Sequence, residues 1–240
     1  MQRELGVVTP PLFREQVLLY SGGLDSFIAA YAAPAAKLLY INTRASYSEK
    51  ELHYLPDHAP RAVTIDTRLD LSAQERDDAI VPARNLLLVT LASHYGQEVL
   101  LAATAGDQST DKDRPFADMT SELLSHIYSG KHFPDARGVV INLPFKDSTK
   151  AEMVRWYLNA GYDPVVLCET VSCYHPTIKH CGRCKACLRK WIALEYNGCD
   201  TTSWDKHPRE ADWEDILRKI HTMQGWRHPR EDKQTLKVLA

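Results

Sequence analysis

Along this chain, compact runs of Val, Leu and Ile alternate with longer segments of helical composition, the arrangement that builds a parallel sheet with helices on its faces. Five such runs are predicted strands: Gln16–Tyr20, Lys37–Asn42, Arg61–Asp66, Glu98–Thr104 and Gly138–Leu143. None alternates cleanly enough for an amphipathic hairpin, and each suits a strand buried on both sides. The helices between them are well punctuated. Asp25 to Ala33 is helical by content and stops before Pro34, because a proline drives its predecessor out of helical geometry. Asn85 to Tyr95 is apolar nearly all round and ends at Gly96, which predicts a buried helix, and Asp118 to Ser129 closes at Gly130 in the same way. Thr149 with Glu152 makes a capping box, opening a helix that turns Val154, Tyr157 and Leu158 inward and ends at Gly161.

Beyond Gly161 the composition changes. Cys168 to Gly198 holds five of the six cysteines, Cys199 follows at once, and Thr201 to Ala240 is polar with Trp and His scattered through it. The tail carries one predicted helix, Asp212 to Met223, with Trp213, Ile216, Leu217 and Ile220 on one side. Its last residues, about 15 of them, are expected to be loosely held, as chain ends are unless docked. The chain therefore divides into an α/β unit, residues 1–161, with a Rossmann-like sheet flanked by helices, and a cysteine-bearing helical appendage, residues 162–240.

At 240 residues, 44% of them hydrophobic and 25% charged, the chain is long enough to bury a substantial core. No stretch approaches the ~18 consecutive apolar residues of a membrane span, so no membrane partner is expected. Met1 to Gln16 carries Arg3, Glu4, Arg14 and Glu15 where a secretory signal has its apolar centre, which predicts a cytoplasmic protein. A formal net charge of −2 argues against stable nucleic-acid binding and for a small-molecule substrate. The basic group Arg183, Lys185, Arg189 and Lys190 reads equally as a solvated helix face or a phosphate contact.

The first strand ends at Tyr20 and runs straight into Ser21-Gly22-Gly23-Leu24-Asp25-Ser26, then a helix. Two glycines allow close backbone approach to an anion, Ser21 and Ser26 add hydroxyl donors, and the helix start directs free N–H groups and its positive dipole end to the same place. A pyrophosphate fits there, and the absence of GxxxxGK[ST] from the sequence excludes the P-loop of motors and kinases. Arg84 and Asn85, in Pro82-Ala83-Arg84-Asn85, are either phosphate and ligand contacts or an ordinary helix start.

Cys173, Cys181, Cys184 and Cys187 have the spacing C-x7-C-x2-C-x2-C, which suits a tetrahedral zinc ion, and Gly182 allows the sharp turn of a metal knuckle. Four thiolate ligands leave no open position for water, so the zinc is expected to be structural, fixing the helix Lys185–Tyr196. An iron–sulfur cluster is the rival occupant. His175 and His180 are bystanders beside a complete set of cysteines, and Cys168 and Cys199 are small core or surface residues.

The loop resembles the pyrophosphate-binding loop of the ATP pyrophosphatase superfamily, and the series SGGLDS, VPARN, DSTKAEMV, ETVSCY and HCGRCKACLRK resembles the 7-cyano-7-deazaguanine synthase (QueC) family. The resemblance implies a parallel five-stranded sheet of HUP type, with ATP across the carboxyl ends of its strands, and a homodimer. It implies that Asp25 holds a magnesium ion or orients the phosphates, and that Lys150, which opposes the dipole of its own helix, stabilises phosphates or developing charge. The implied reaction adenylates 7-carboxy-7-deazaguanine, lets ammonia displace AMP, and adenylates the resulting amide to release a nitrile. Two segments depart from the family's usual sequence: Asn42-Thr43-Arg44-Ala45-Ser46-Tyr47-Ser48 and Asp111-Lys112-Asp113-Arg114-Pro115-Phe116. Both lie where the acid would sit, making Arg44, Lys112 and Arg114 candidate carboxylate or purine contacts. They leave open a related adenylating enzyme for another acid, in nucleic-acid modification or bacterial defence. A tRNA-modifying enzyme of the same superfamily and a zinc-stabilised nucleotide-binding scaffold are the further alternatives.

Overall fold

The structure, a computed structural model, describes residues 14–78, 80–130, 137–175, 177–222 and 224–240. Most of the Met1 to Gln16 segment, on which the localisation reading rests, lies outside the described residues, as does Met223. Five strands, β1 (Gln16–Leu19), β2 (Lys37–Ile41), β3 (Val63–Asp66), β4 (Glu98–Leu100) and β5 (Val140–Asn142), pair in parallel in the order β3-β2-β1-β4-β5. The order reverses at β1: successive strands add outward to one side, then the chain returns to place β4 on the other. Such a reversal leaves a crevice at the carboxyl ends of the strands, between connections that leave in opposite directions.

Strand side chains alternate between two faces, as the two-residue period of an extended chain requires. Leu18, Tyr20, Leu38 and Tyr40 enter one core with α1 (Leu24–Ala32), α2 (Ser48–His58) and α5 (Lys150–Asn159), through Phe27, Ile28, Leu55, Val154 and Tyr157. Val17, Leu19, Leu39 and Ile41 enter the other with α3 (Arg84–Ala92) and α4 (Arg114–Tyr128), through Val89, Ala92, Leu124 and Tyr128. The capping box at Thr149 and Glu152 is formed, with both reciprocal bonds.

Several elements differ from the sequence reading. β3 is an edge strand: Ile65 is 47% exposed and Thr64 is exposed beside it, because no strand covers the outer side. α3 is half-buried, with Leu86 and Leu87 open to solvent, since only the stripe bearing Asn85, Val89 and Ala92 faces the sheet. α4 starts at Arg114, where Asp113 accepts a bond from Phe116 N–H and Pro115 occupies the first turn. α2 and the short α6 (Pro164–Glu169) are additional; Pro56 and the polar content of α2 hide its helical character.

The C-terminal part is organised by α7 (Lys185–Glu195), whose Ala193 and Leu194 enter the sheet core while Leu188, Trp191 and Ile192 face a separate cluster. Trp213 and Ile216 at and within α8 (Glu214–His221) complete that cluster, so the tail stripe packs on its own chain. Cys168 and Cys199 are free thiols, the first donating to the carbonyl of the second at 3.3 Å.

The expected loose end is instead a docked helix, α9 (Pro229–Leu239), with Thr235 fully buried. The reason lies in Arg189, which the solvated-face reading misplaced. Its guanidinium is buried and bonds Glu231 of α9 at 2.6 and 3.1 Å, Asp107 at 2.8 Å and Thr104 Oγ1 at 3.2 Å. Gly106 is small by necessity, since a Cβ there would lie 1.8 Å from Glu231 Oε2. Lys190 is buried too, donating to Cys168 O at 2.7 Å and Thr170 O at 2.6 Å. Replacing Arg189 by Met would strand Asp107 and Glu231 as buried, uncompensated charges. The expected loss is about 3–5 kcal/mol of unfolding free energy, read by urea denaturation. A loss under about 1 kcal/mol would contradict the buried-clamp role.

Candidate functional site

A cleft of ≈ 200 Å³ opens at the carboxyl ends of β1, β2 and β4, at the strand-order reversal. Tyr20, Ser21, Gly23, Leu24, Asp25 and Ser26 form its floor. Tyr20 N–H bonds Leu39 O at 2.9 Å, and Gly22 then turns the chain with a φ of +73°, a conformation that favours glycine. Ser26 Oγ donates to Gly23 O at 3.1 Å and accepts from Ser21 N–H at 3.3 Å, so the two serines hold the loop against the start of α1.

Asp25 Oδ2 accepts a charge-assisted bond from Lys150 Nζ, while Asp25 Oδ1 is buried with no partner among the described residues. A buried carboxylate oxygen left without a donor is costly, and a divalent cation beside phosphate oxygens is a group that satisfies it. The loop, the helix N-terminus and this oxygen together fit a magnesium-bound polyphosphate. Lys150 reaches Asp25 from the first turn of α5, and its side chain is only 13% exposed.

Arg84, Asn85 and Lys112 also line the cleft. Ala83 caps α3 in the left-handed conformation, φ +55°, and the next residue, Arg84, donates from Nη1 to Tyr47 Oη within the cleft. Arg44 and Arg114 are elsewhere. Arg44 pairs with Asp70 at 3.4 Å and Arg114 with Asp147 at 2.5 Å, both more than half exposed, and neither lines the cleft.

Asp107 and Glu51, absent from the sequence reading, and Tyr47 and Tyr174, within segments it singled out, belong to the surroundings of the site. Burial pushes the Asp107 carboxyl up, but the charges of Lys112, Arg189 and Lys150 outweigh it and hold it well below the usual carboxylate range. The C-terminal helix, through Arg189, thus shares one charge system with two lysines of the site. Tyr47, Glu51 and Tyr174 also line the cleft, with the Tyr47 and Tyr174 ring centres 5.3 Å apart. Tyr40 Oη donates to Glu51 Oε2 at 3.0 Å, and burial pushes the Glu51 carboxyl up to about 7. The Tyr47 to Glu51 spacing of one helical turn is the only signal for this group in the sequence, and it is meaningful only once α2 is known.

The remaining wall is the cysteine segment. Val171 N–H bonds Gly22 O at 2.9 Å, and Val171, Ser172, Cys173 and Tyr174 line the cleft. The Sγ atoms of Cys173, Cys181, Cys184 and Cys187 all lie within 4.8 Å of one another, compatible with a tetrahedral S4 site, whose sulfurs sit about 3.8 Å apart. Cys173 Sγ accepts the N–H groups of His175 at 3.3 Å and Cys181 at 3.4 Å, and Cys184 Sγ that of Cys187 at 3.4 Å, as suits thiolates. Gly182 has a φ of +70°, and a Cβ on it would fall 1.5 Å from Lys206 O. His175 and His180 are not in the cluster; His180 Nε2 accepts instead from Ser172 N–H at 3.4 Å. Lys50, buried in α2, ties the knuckle down through His175 O at 3.2 Å and Lys179 O at 3.3 Å.

The raised Glu51 value has a sign that experiment can read. Against an ordinary value of 4.5, the folded chain holds this proton more tightly than the unfolded one. The associated stability is therefore full below the ordinary value and is lost as pH rises through about 7. Glu51→Gln is expected to raise Tm at pH 8 by a few degrees relative to the parent, roughly 1–3 kcal/mol, with the difference shrinking toward pH 4. A difference independent of pH would refute the buried-carboxylate description.

A family model described as "Queuosine biosynthesis protein QueC" matches residues 59–198. Among relatives, the 7-cyano-7-deazaguanine synthase of Thermoplasma acidophilum is 27% identical over 81% of this chain and 94% of that protein. That of Marinobacter nauticus is 24% identical over 76% and 93%, and that of Agrobacterium fabrum 27% over 79% and 91%. The match spans the wall of the cleft, all four clustered cysteines and the helix behind them, and on these grounds the chain belongs to the QueC family.

Proposed function

We propose that this protein uses ATP to activate the carboxylate of 7-carboxy-7-deazaguanine and couples it to ammonia, ending at 7-cyano-7-deazaguanine. The observation that carries this reading is the buried, unpartnered Asp25 Oδ1 beside Lys150 at the phosphate loop. The names of the relatives supply the product, and the family resemblance of the motifs implies the acid. A carboxylate oxygen is a poor leaving group. Transfer of AMP to it, with release of pyrophosphate, makes attack by neutral ammonia feasible; AMP then leaves with that oxygen and an amide remains. A second adenylation, on the amide oxygen, followed by loss of AMP and protons, gives the nitrile.

In this reading Ser21, Gly22, Gly23, Leu24 and Ser26 hold the phosphates through backbone and hydroxyl groups, while Arg84, Lys112 and Lys150 offset their charge. Asp25 would hold magnesium, which supplies charge neutralisation at the triphosphate. Cys173, Cys181, Cys184 and Cys187 would hold a structural zinc ion that keeps the Val171–Tyr174 wall against the loop. The binding energy goes chiefly into positioning acid, nucleotide and amine together.

Mass spectrometry after incubation with 7-carboxy-7-deazaguanine, ATP, magnesium and ammonium is the test. AMP release should require acid and ammonium together, and the acid should give way to the nitrile. Accumulation of the amide alone would end the reaction one stage earlier, and no turnover of this acid would refute the assignment. Asp25→Asn and Lys150→Met are each expected to lower kcat/KM about a hundredfold or more. Elemental analysis should find zinc, lost on Cys184→Ser together with ATP affinity; a brown chain carrying iron and sulfide would refute the zinc assignment.

A further inference from the structure

We propose that Glu51 is the recognition carboxylate of the site, accepting the N–H donors of the amino-lactam edge of the heterocyclic acid. This deepens the reading above and rests on it. Glu51 lies one helical turn before Leu55, whose Cδ2 would be 3.5 Å from a Cβ on Gly22, and it lines the same cleft as the Tyr20–Ser26 turn. Its Oε2 is fixed by the Tyr40 hydroxyl at 3.0 Å, and its Oε1 has no donor among the described residues although the residue lines the cleft. A carboxylate has about four acceptor positions, and the protein supplies a donor to one of them.

The surroundings select the ligand. No ion pair within 4.0 Å joins Glu51 to Arg84 or to any other described cation, and burial raises its carboxyl to about 7, so its retention costs stability. A divalent cation does not fit, because the four cysteines are the sole group of three or more metal-binding side chains found among the described residues, and Arg84 opposes a second positive charge. A neutral group with adjacent N–H donors fits: it satisfies the carboxylate without displacing the Tyr40 bond. The 2-aminopyrimidin-4-one edge of a deazaguanine presents such a pair, N1–H and the exocyclic amine. Adenine places one amine beside an acceptor nitrogen, which a carboxylate repels, so this end of the cleft favours the acid over the nucleotide's base. Tyr47 and Tyr174 line the same cleft with their ring centres 5.3 Å apart and offer aromatic surface to a planar heterocycle.

Calorimetric titration with 7-carboxy-7-deazaguanine and with its analogue lacking the 2-amino group tests this directly. The parent chain is expected to prefer the amino compound by about ten- to a hundredfold, the range of a charge-assisted hydrogen bond. Glu51→Ala should abolish that preference and leave affinity for a non-hydrolysable ATP analogue unchanged. Glu51→Gln, which keeps an acceptor for Tyr40 and so preserves the fold, should reduce the preference to an intermediate value. Undiminished preference in Glu51→Ala, or a loss of ATP-analogue affinity equal to the loss for the acid, overturns the assignment of Glu51 and leaves the proposed reaction standing. Failure of the parent chain to bind either acid while it binds the ATP analogue overturns the choice of acid and this inference with it.

Discussion

The bond from Val171 N–H to the carbonyl of Gly22 joins the two halves of the site. On one side is the turn that ends β1, where a positive φ at Gly22 makes that carbonyl available. On the other is a segment that within two residues becomes a ligand of the cysteine cluster. The cleft is therefore not a depression in an α/β sheet alone. Its rear wall is borrowed from the C-terminal part of the chain, and its geometry depends on how firmly that part is held.

Buried charge does much of the holding. Lys190 fastens the carbonyls of Cys168 and Thr170, at either side of the α6 C-terminus, and its ammonium is pushed down to about 7 by desolvation. Arg189, its neighbour on α7, reaches the opposite way, to Asp107 and Glu231. One helix thereby anchors the cysteine wall with one residue and the β4–α4 connection with the next. Apolar packing of Leu188, Trp191 and Ile192 sets where α7 lies; the two cations set which loops lie against it. Groups of this kind are costly to desolvate and rarely add net stability over an apolar replacement, so their value here is in specifying geometry.

Much of this was legible because the signals were local. The glycine turn after β1, the capping box at Thr149 and the cysteine spacing each occupy a short window, and the sheet followed from runs of Val, Leu and Ile. What escaped depended on distance along the chain. Glu51 and Asp107 belong to segments with no signature of their own, and their roles emerge only when the fold brings Glu51 into the cleft and Asp107 against Arg189. Arg44 and Arg114 lie in the two segments that depart from the family's usual sequence, yet nearby carboxylates, Asp70 and Asp147, draw them outward. α9 falls in the chain end expected to be loosely held, yet Glu231 is buried against Arg189 and Asp232 accepts the N–H groups of Trp226 and Arg227. Charge at a residue predicts exposure only when no opposite charge waits inside.

The docking of Glu231 onto Arg189 also orders events in time. A growing chain that has emerged as far as residue 225 holds the SGGLDS turn, the lysines and the whole cysteine knuckle, and its Arg189 can pair with Asp107 but still lacks Glu231. The region beside Lys112 and Lys150 settles only when α9 arrives. Synthesis therefore passes through a stage in which the turn after β1 is present and the charge network beside it is unfinished, and α9 brings the carboxylate that completes that network.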